Sequence, residues 1–352
     1  MLEDKSPQLT PVSELGEFGL IKHLTERFSL QQPSSVLGIG DDAALLSAEG
    51  REIAITTDIL AEGVHFNLGY APLKHLGYKA VVANLSDIAA MNAVPAQILV
   101  GIAASNRFPV EAFEELYEGI GHACKHYGVD VIGGDTTSSH SGLVISITAI
   151  GYGEKESLAK RSGAQPNDLL VLTGDLGGAY MGLQVLERVF LVNPNMQPEM
   201  EGYDYILQRQ LKPEARTDIR AKLQELGVQP TAMIDVSDGL ASEILHLADQ
   251  SKVGFRLYEE KIPMDELTIM TADEFNLNPS IAALSGGEDY ELLMTIAPSD
   301  YDKIKNHPDF TIIGHATEAS EGCYLVLRGS NELSKLTAQG WDAFLNKKGK
   351  ED

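Results

Sequence analysis

Apolar positions along this chain recur in two rhythms, one near 3.6 residues and one near 2, and the switches between them outline its elements. Leu20, Ile21, Leu24 and Phe28 share one side of a helical period, so a helix is expected from Ser13, which can cap it, to about Phe28, with Glu14 and Glu17 at its positive end. Residues 36–39 and 52–57 read as short strands, each ending at an acid cluster. Residues 74–93 read as a long helix with Val81, Val82, Leu85, Ile88 and Ala89 inward, stopped by Pro95. A strand at 97–104, a helix at 110–127 closed by Gly128, and strands at 129–132 and 143–150 follow. Apolar periodicity lapses over 151–167, a polar stretch closed by Pro166. Beyond it come a strand at 169–173, a Gly-Asp-Leu-Gly-Gly turn and a helix to about 189. Helices near 203–211 and 215–226 and a strand at 232–236 precede a Ser-Asp-Gly turn with a helix to 251. Strands near 254–258, 290–296, 311–314 and 323–327 complete the pattern. Strands alternating with helices predict an α/β or split βαβ layer in the first half and an α+β arrangement in the second.

Length supports that division, because 352 residues exceed what a single core usually serves. The expected organisation is a polar leader over 1–12, one domain over 13–152 and another over 153–352. Charge changes the picture more: 27 basic against 51 acidic side chains leave a net charge of −24, which repels nucleic acid and anionic membrane. A phosphate ligand would be repelled as well unless cations reverse the local field. Two distant cysteines, Cys124 and Cys323, offer neither zinc-site spacing nor a disulfide framework, which suits a reducing cytoplasm. Neither a signal peptide nor an apolar run of membrane-spanning length is read in the sequence.

The acids are not spread evenly. They recur beside Gly, Ser or Thr in Gly38-Ile39-Gly40-Asp41-Asp42, Thr56-Thr57-Asp58, Leu85-Ser86-Asp87, Gly133-Gly134-Asp135-Thr136-Thr137 and Asp235-Val236-Ser237-Asp238-Gly239. Carboxylates with small hydroxylated neighbours suit hard cations such as Mg²⁺, which proteins commonly share with substrate phosphates. Taken singly, each has a plainer reading. Asp41-Asp42 and the Gly133 run can be turns, Asp87 can lie on a helix surface, and Ser237 or Asp238 can be a simple N-cap. Gly286-Gly287-Glu288-Asp289-Tyr290 is a further acid turn, and His65 is either a phosphate donor or structural. No Gly-x-x-x-x-Gly-Lys-Ser/Thr loop, protein-kinase set, Gly-x-Ser-x-Gly elbow or complete dinucleotide fingerprint is present.

In order along the chain, Leu37-Gly38-Ile39-Gly40-Asp41-Asp42-Ala43-Ala44, Thr56-Thr57-Asp58 with His65-Phe66, Asn84-Leu85-Ser86-Asp87, Ile132-Gly133-Gly134-Asp135-Thr136, Arg161-Ser162-Gly163, Asp235-Val236-Ser237-Asp238-Gly239 and Ser285-Gly286-Gly287-Glu288-Asp289-Tyr290-Glu291-Leu292 closely resemble the thiamine-monophosphate kinase family. That family lies within the aminoimidazole-ribonucleotide synthetase-like superfamily. The resemblance implies a two-domain fold whose N-terminal α/β domain dimerises through its sheet into a β-barrel, followed by an α+β domain. It implies a cytoplasmic homodimeric transferase of thiamine biosynthesis, with ATP as co-substrate and several Mg²⁺ ions. By position, Asp42, Thr56, Thr57, Asp58, Asp87, Asp135, Asp235 and Asp238 resemble the metal ligands. Tyr117, Gly134, Asp135, Arg161 and Ser237 resemble ATP contacts, and His65, Glu288 and Trp341 resemble substrate contacts.

The implied acceptor is itself a phosphate, with a second pKa of about 6, so it reacts as a dianion and needs no general base. Direct in-line transfer assisted by metal is the expected mechanism. Glu288 and Trp341 would suit a cationic thiazolium and an aromatic pyrimidine, although the sole Trp can equally be a packing residue. Sister ATP-dependent synthases of the superfamily, for aminoimidazole ribonucleotide or selenophosphate, are the alternative enzymes, and the hydrogenase-maturation dehydratase is a third. Selenophosphate synthetase and the dehydratase would be expected to show a reactive Cys near the N-terminus or a terminal Cys, and the sequence, with Cys124 and Cys323 alone, disfavours both. A non-catalytic nucleotide or Mg²⁺ binder is the alternative from another class.

Overall fold

The computed structural model of the chain describes residues 10, 23–37, 45–48, 50–192 and 202–337. They form two compact units. The first is drawn from Met1–Ala159, Leu186–Glu199 and Leu211–Gln229, and the second from Lys160–Val185, Met200–Gln210 and Pro230–Asp352. Two stretches from the later half of the sequence thus pack with the first unit, which a single cut near residue 153 does not express.

In the first unit a short hairpin, β1 (Ser35–Leu37) and β2 (Leu45–Leu46), precedes β3 (Glu52–Ala61), α1 (Leu73–Ala90), β4 (Val94–Ala104), α2 (Val110–Tyr127), β5 (Asp130–Ser138) and β6 (Val144–Gly153). The last four strands make one sheet in the order β3-β6-β4-β5, with β4 and β5 parallel and the other pairs antiparallel. Almost every residue of α1 from Leu76 onward is buried, which explains its near-continuous apolar sequence. Its end is made by Met91 and Asn92, the latter at φ +54°, and not by Pro95. Pro95 lies inside β4, beside β6 but before pairing with β5 begins at Gln97, so its missing N–H falls where one side of the strand has no ladder partner.

Helices α1 and α2 cross at glycines. A side chain at Gly77 would run into the Leu116 carbonyl and one at Gly119 into the Lys74 carbonyl, so the backbones approach as only glycine allows. Gly77→Ala is therefore expected to lower stability by about 1–3 kcal/mol through forced separation of the helices. Urea unfolding measures this, and an unchanged midpoint would contradict the close packing.

Two acid clusters, one expected at a strand end and the other readable as a turn, lie instead within strands. Thr56-Thr57-Asp58 is mid-β3, and Gly133-Gly134-Asp135-Thr136-Thr137 is part of β5. Strand periodicity then sorts their side chains between the two faces of the sheet. Pairing places Asp58, Ile147, Val100 and Gly134 in one row and Ile59, Ser146, Gly101 and Asp135 in the next. Ile147 and Val100 are buried, whereas Ile59 is 58% exposed.

The second unit follows with β7 (Leu169–Thr173), the part of α3 (Gly178–Val192) up to Val185, and α4 (Asp204–Leu211) up to Gln210; α5 (Ile219–Leu226) belongs to the first unit. Next come β8 (Ala232–Asp235), α6 (Leu240–Ser251), β9 (Gly254–Tyr258), α7 (Glu266–Glu274), α8 (Pro279–Ser285), β10 (Leu292–Ile296), α9 (Tyr301–Ile304), β11 (Phe310–Thr317), β12 (Cys323–Val326) and β13 (Leu333–Lys335). Its seven strands are ordered β13-β12-β9-β11-β7-β10-β8, with only β12 and β9 parallel. Leu172, Ile234, Leu240, Ile244, Phe255 and Leu293 belong to its fully buried core. Helices α7 and α8 and strand β13 have no counterpart in the sequence reading. The two helices are set by caps, because Asp265 accepts from Leu267 N–H, and Asn278 accepts from Ser280 N–H with Pro279 following.

Candidate active site

In the first unit, β3 and α1 bring three of the expected ligands to one face of the sheet. Thr56 Oγ1 donates to Asp87 Oδ2 at 2.6 Å, from mid-strand to mid-helix. Asn84, one turn before Asp87, is buried; its Oδ1 accepts from Asp58 N–H at 3.0 Å and its Nδ2 donates to the Ala80 carbonyl. This ties the Thr56 and Asp58 rows to the helix carrying Asp87. Thr57 takes the opposite side by alternation, where its hydroxyl donates to the Ile147 carbonyl and accepts from Thr148 Oγ1, each at 3.0 Å. Asp135 shares that side by register, and Gly134 lies against the Val100 carbonyl where a Cβ would collide. The sheet of one chain therefore gathers Thr56, Asp58 and Asp87 and separates them from the side chains of Thr57 and Asp135.

The second unit carries another acid cluster where β8 ends and α6 begins. Asp235 is 2% exposed, and Asp238 stands half-buried in the turn. Gly239 takes φ +119°, with Leu284 O 2.7 Å from where a Cβ would stand. Glu243, in the first turn of α6, accepts from Asp238 N–H at 3.1 Å and is also 2% exposed. Burial, with the Asp235 and Asp238 charges added, pushes the Glu243 carboxyl up to about 8 against the counteracting bond from Asp238 N–H. Burial also raises Asp238, opposed by His246 and Arg161 and reinforced by Glu288. Sequence reading missed Glu243, although an acid in the first turn after Ser-Asp-Gly was visible; its burial was not.

Glu288 belongs to a strained segment. Glu288 and Tyr290 hold φ of +58° and +53°, and the N–H of Glu288 donates to the Ser237 carbonyl at 2.7 Å, so the segment leans on the Ser-Asp-Gly turn. Beneath it lies a buried ionic network that the sequence did not announce. Arg209 of α4 donates to Glu291 Oε1 at 3.0 Å, lies 3.6 Å from Asp289 Oδ1, and donates to the carbonyls of Asp175 and Asp289. Asp289 in turn accepts from Gly177 N–H and Ala179 N–H at the start of α3, a favourable place for an anion. Burial pushes Asp289 up to about 6, with Arg209 first among the opposing influences.

The remaining expected residues are dispersed. His65 Nδ1 accepts from Ala61 N–H at 3.0 Å in the exposed turn after β3. Tyr117 is 5% exposed on α2 and packs edge-on to Phe28, its hydroxyl pushed up to about 12 by burial. Arg161 is an exposed residue of the second unit whose charge bears on Asp238 and Glu243; Ser237 is half-buried beside Asp238. Asp42 and Trp341 lie outside the described residues. Among the described residues, no three His, Cys, Asp or Glu side chains are arranged to hold a metal ion by themselves, and no helix is long and apolar enough to cross a membrane.

Fold and clusters together define a class. Residues 40–152 match the family described as AIR synthase related protein, N-terminal domain, and residues 165–325 match AIR synthase related protein, C-terminal domain. The chain is 35% identical over 338 residues to the thiamine-monophosphate kinase of Bacillus subtilis, covering 94% of this chain and 100% of that protein. It is 33% identical over 336 residues to the thiamine-monophosphate kinase of Aquifex aeolicus, covering 95% and 99%. Among solved structures it is similar to AaThiL complexed with AMPPCP and TMP, with a TM-score of 0.74 and 31% identity over 97% of this chain and 100% of that one. The chain belongs to the thiamine-monophosphate kinase family of AIR synthase related proteins.

Proposed function

We propose that this chain transfers the γ-phosphoryl group of ATP to thiamine monophosphate, giving ADP and thiamine diphosphate as the last step of thiamine diphosphate biosynthesis in the cytoplasm. The observation that carries the reading is near full-length similarity to thiamine-monophosphate kinases on a chain that keeps the acid clusters. An enzyme for this step must bring two polyanions together, and a chain of net charge −24 does so only with cations. The donor set fits Mg²⁺: Thr56 and Asp87 offer hard oxygens 2.6 Å apart, and Asp235, Asp238 and Glu243 crowd carboxyl groups at one strand end. Asp42, Thr56, Thr57, Asp58, Asp87, Asp135, Asp235 and Asp238 would hold it, in several ions. When bound, Mg²⁺ supplies charge neutralisation and alignment of attacking and leaving oxygens.

The chain's own residues bind and orient. Arg161 is a cation beside Asp238, suited to ATP phosphates, and Ser237 and Gly134 with Asp135 would complete the nucleotide contacts. His65 and Trp341 would join Glu288 on the acceptor, where the Glu288 carboxylate meets the thiazolium charge. Tyr117, on α2, would add a further ATP contact by its position in the family pattern. No base is needed, because the acceptor phosphate is already largely dianionic at neutral pH. Transfer is direct and in line, without a phosphoenzyme. A homodimer through the first unit's sheet, closing into a barrel, is supported by strand β3, which sits at a sheet edge and exposes Ile53 (44%), Ile55 (65%) and Ile59 (58%).

Incubation with ATP and Mg²⁺, comparing thiamine monophosphate with unphosphorylated thiamine as acceptor, tests the reading. Turnover is expected with the monophosphate alone. Equal use of thiamine, or of neither, would sink it.

A further inference from the structure

The backbone around Glu288 is held from several directions. Besides the Glu288 N–H bond to Ser237, the Tyr290 N–H donates to the Val236 carbonyl at 2.9 Å and Arg209 Nη2 donates to the Asp289 carbonyl at 3.2 Å. Gly287, at φ +72°, leaves no room for a side chain, since a Cβ would stand 2.5 Å from the Ser237 carbonyl oxygen. With the main chain so constrained, the direction of the carboxylate depends on the side-chain torsions of Glu288.

Gln210 restricts those torsions. Its Nε2 donates to Glu288 Oε2 at 3.0 Å. Gln210 is 5% exposed in the last turn of α4, next to Arg209, whose guanidinium fastens that helix end to Asp289 and Glu291. The amide is thus delivered from a fixed support. Its chemistry is selective: Lys or Arg there would neutralise the carboxylate and Glu would repel it, whereas a neutral amide orients it and leaves its charge for a ligand. Glu288 also lies within coulombic reach of Asp238, so an unheld carboxylate would turn away from the acid cluster.

We propose that Gln210 is a positioning residue for acceptor recognition, holding the Glu288 carboxylate, charge intact, toward the cationic ring of the substrate. This rests on the kinase reading above. Gln210→Met removes the donor at similar volume, and Gln210→Glu restores a donor only when protonated. In Gln210→Met, Kd and KM for thiamine monophosphate are expected to rise about tenfold, the loss of one hydrogen bond to a charged group, while KM for ATP and the Tm stay near wild type. In Gln210→Glu the defect should be largest near about pH 8 and shrink toward about pH 5.5, as its carboxyl takes up a proton and donates to Glu288. Isothermal titration with thiamine monophosphate, beside steady-state kinetics for both substrates, reads all three proteins. Unchanged acceptor affinity in Gln210→Met, equal weakening of ATP and acceptor, or a pH-independent Gln210→Glu defect would overturn the proposal while leaving the kinase intact. A wild-type protein that neither binds nor phosphorylates thiamine monophosphate would remove the kinase reading, and this proposal with it.

Discussion

Asp87→Asn is expected to lower kcat about a hundredfold or more, with Tm moving only a few degrees. Asparagine keeps the shape and an acceptor oxygen for the Thr56 hydroxyl, now 2.6 Å from Asp87 Oδ2, so the link between β3 and α1 persists. What disappears is a negative charge on the helix face that also holds Asn84 and, through it, Asp58. If these carboxylates gather the cations that bring two phosphate dianions together, removing one charge acts on turnover far more than on folding. Steady-state kinetics with Mg²⁺ saturating, beside thermal unfolding, separate the two. Near wild-type turnover would contradict a metal-binding role for Asp87.

Arg209→Met is expected to act on stability instead, by about 3–5 kcal/mol, because it strands two buried anions. Asp289 is 1% exposed and Glu291 3%. Methionine fills much of the arginine volume, so the loss is chiefly electrostatic. The sign of its pH dependence follows from Asp289. Burial already raises that carboxyl from 3.8 to about 6, and Arg209 is the main influence holding it down. Without Arg209 it rises further, so the folded variant binds a proton that the unfolded chain releases at lower pH. Such a group supports folding below its unfolded pKa and loses that support as pH rises through the folded value. The deficit should therefore be larger near about pH 8 than near about pH 5. Urea unfolding at both pH values reads it, and a small, pH-independent change would contradict the network.

Much of this molecule was legible in residue patterns, for reasons particular elements make plain. Strand 169–173 and helix 110–127 came out where expected, because a short apolar run and an amphipathic stripe ending in Gly128 are local signals. The Asp235 and Asp238 turn was read correctly as a strand end opening a helix. Pro95 misled, since its place in β4 depends on where pairing with β5 starts, a fact of the sheet and not of the segment. The run at Thr56 looked like a strand end and the run at Gly133 like a turn from their small and hydroxylated residues, yet strand neighbours fixed both mid-sheet. Glu243, Arg209 and Gln210 escaped notice because helical acids, bases and amides are usually solvated. Only tertiary burial sets these three apart.

The most direct single measurement is product stoichiometry: the purified protein with ATP, Mg²⁺ and thiamine monophosphate, quenched over time, with ADP and thiamine diphosphate both quantified. Equal amounts of the two, dependent on Mg²⁺, are the expected result. ADP accumulating without thiamine diphosphate would contradict it and move the chain to a sister ATP-dependent synthase.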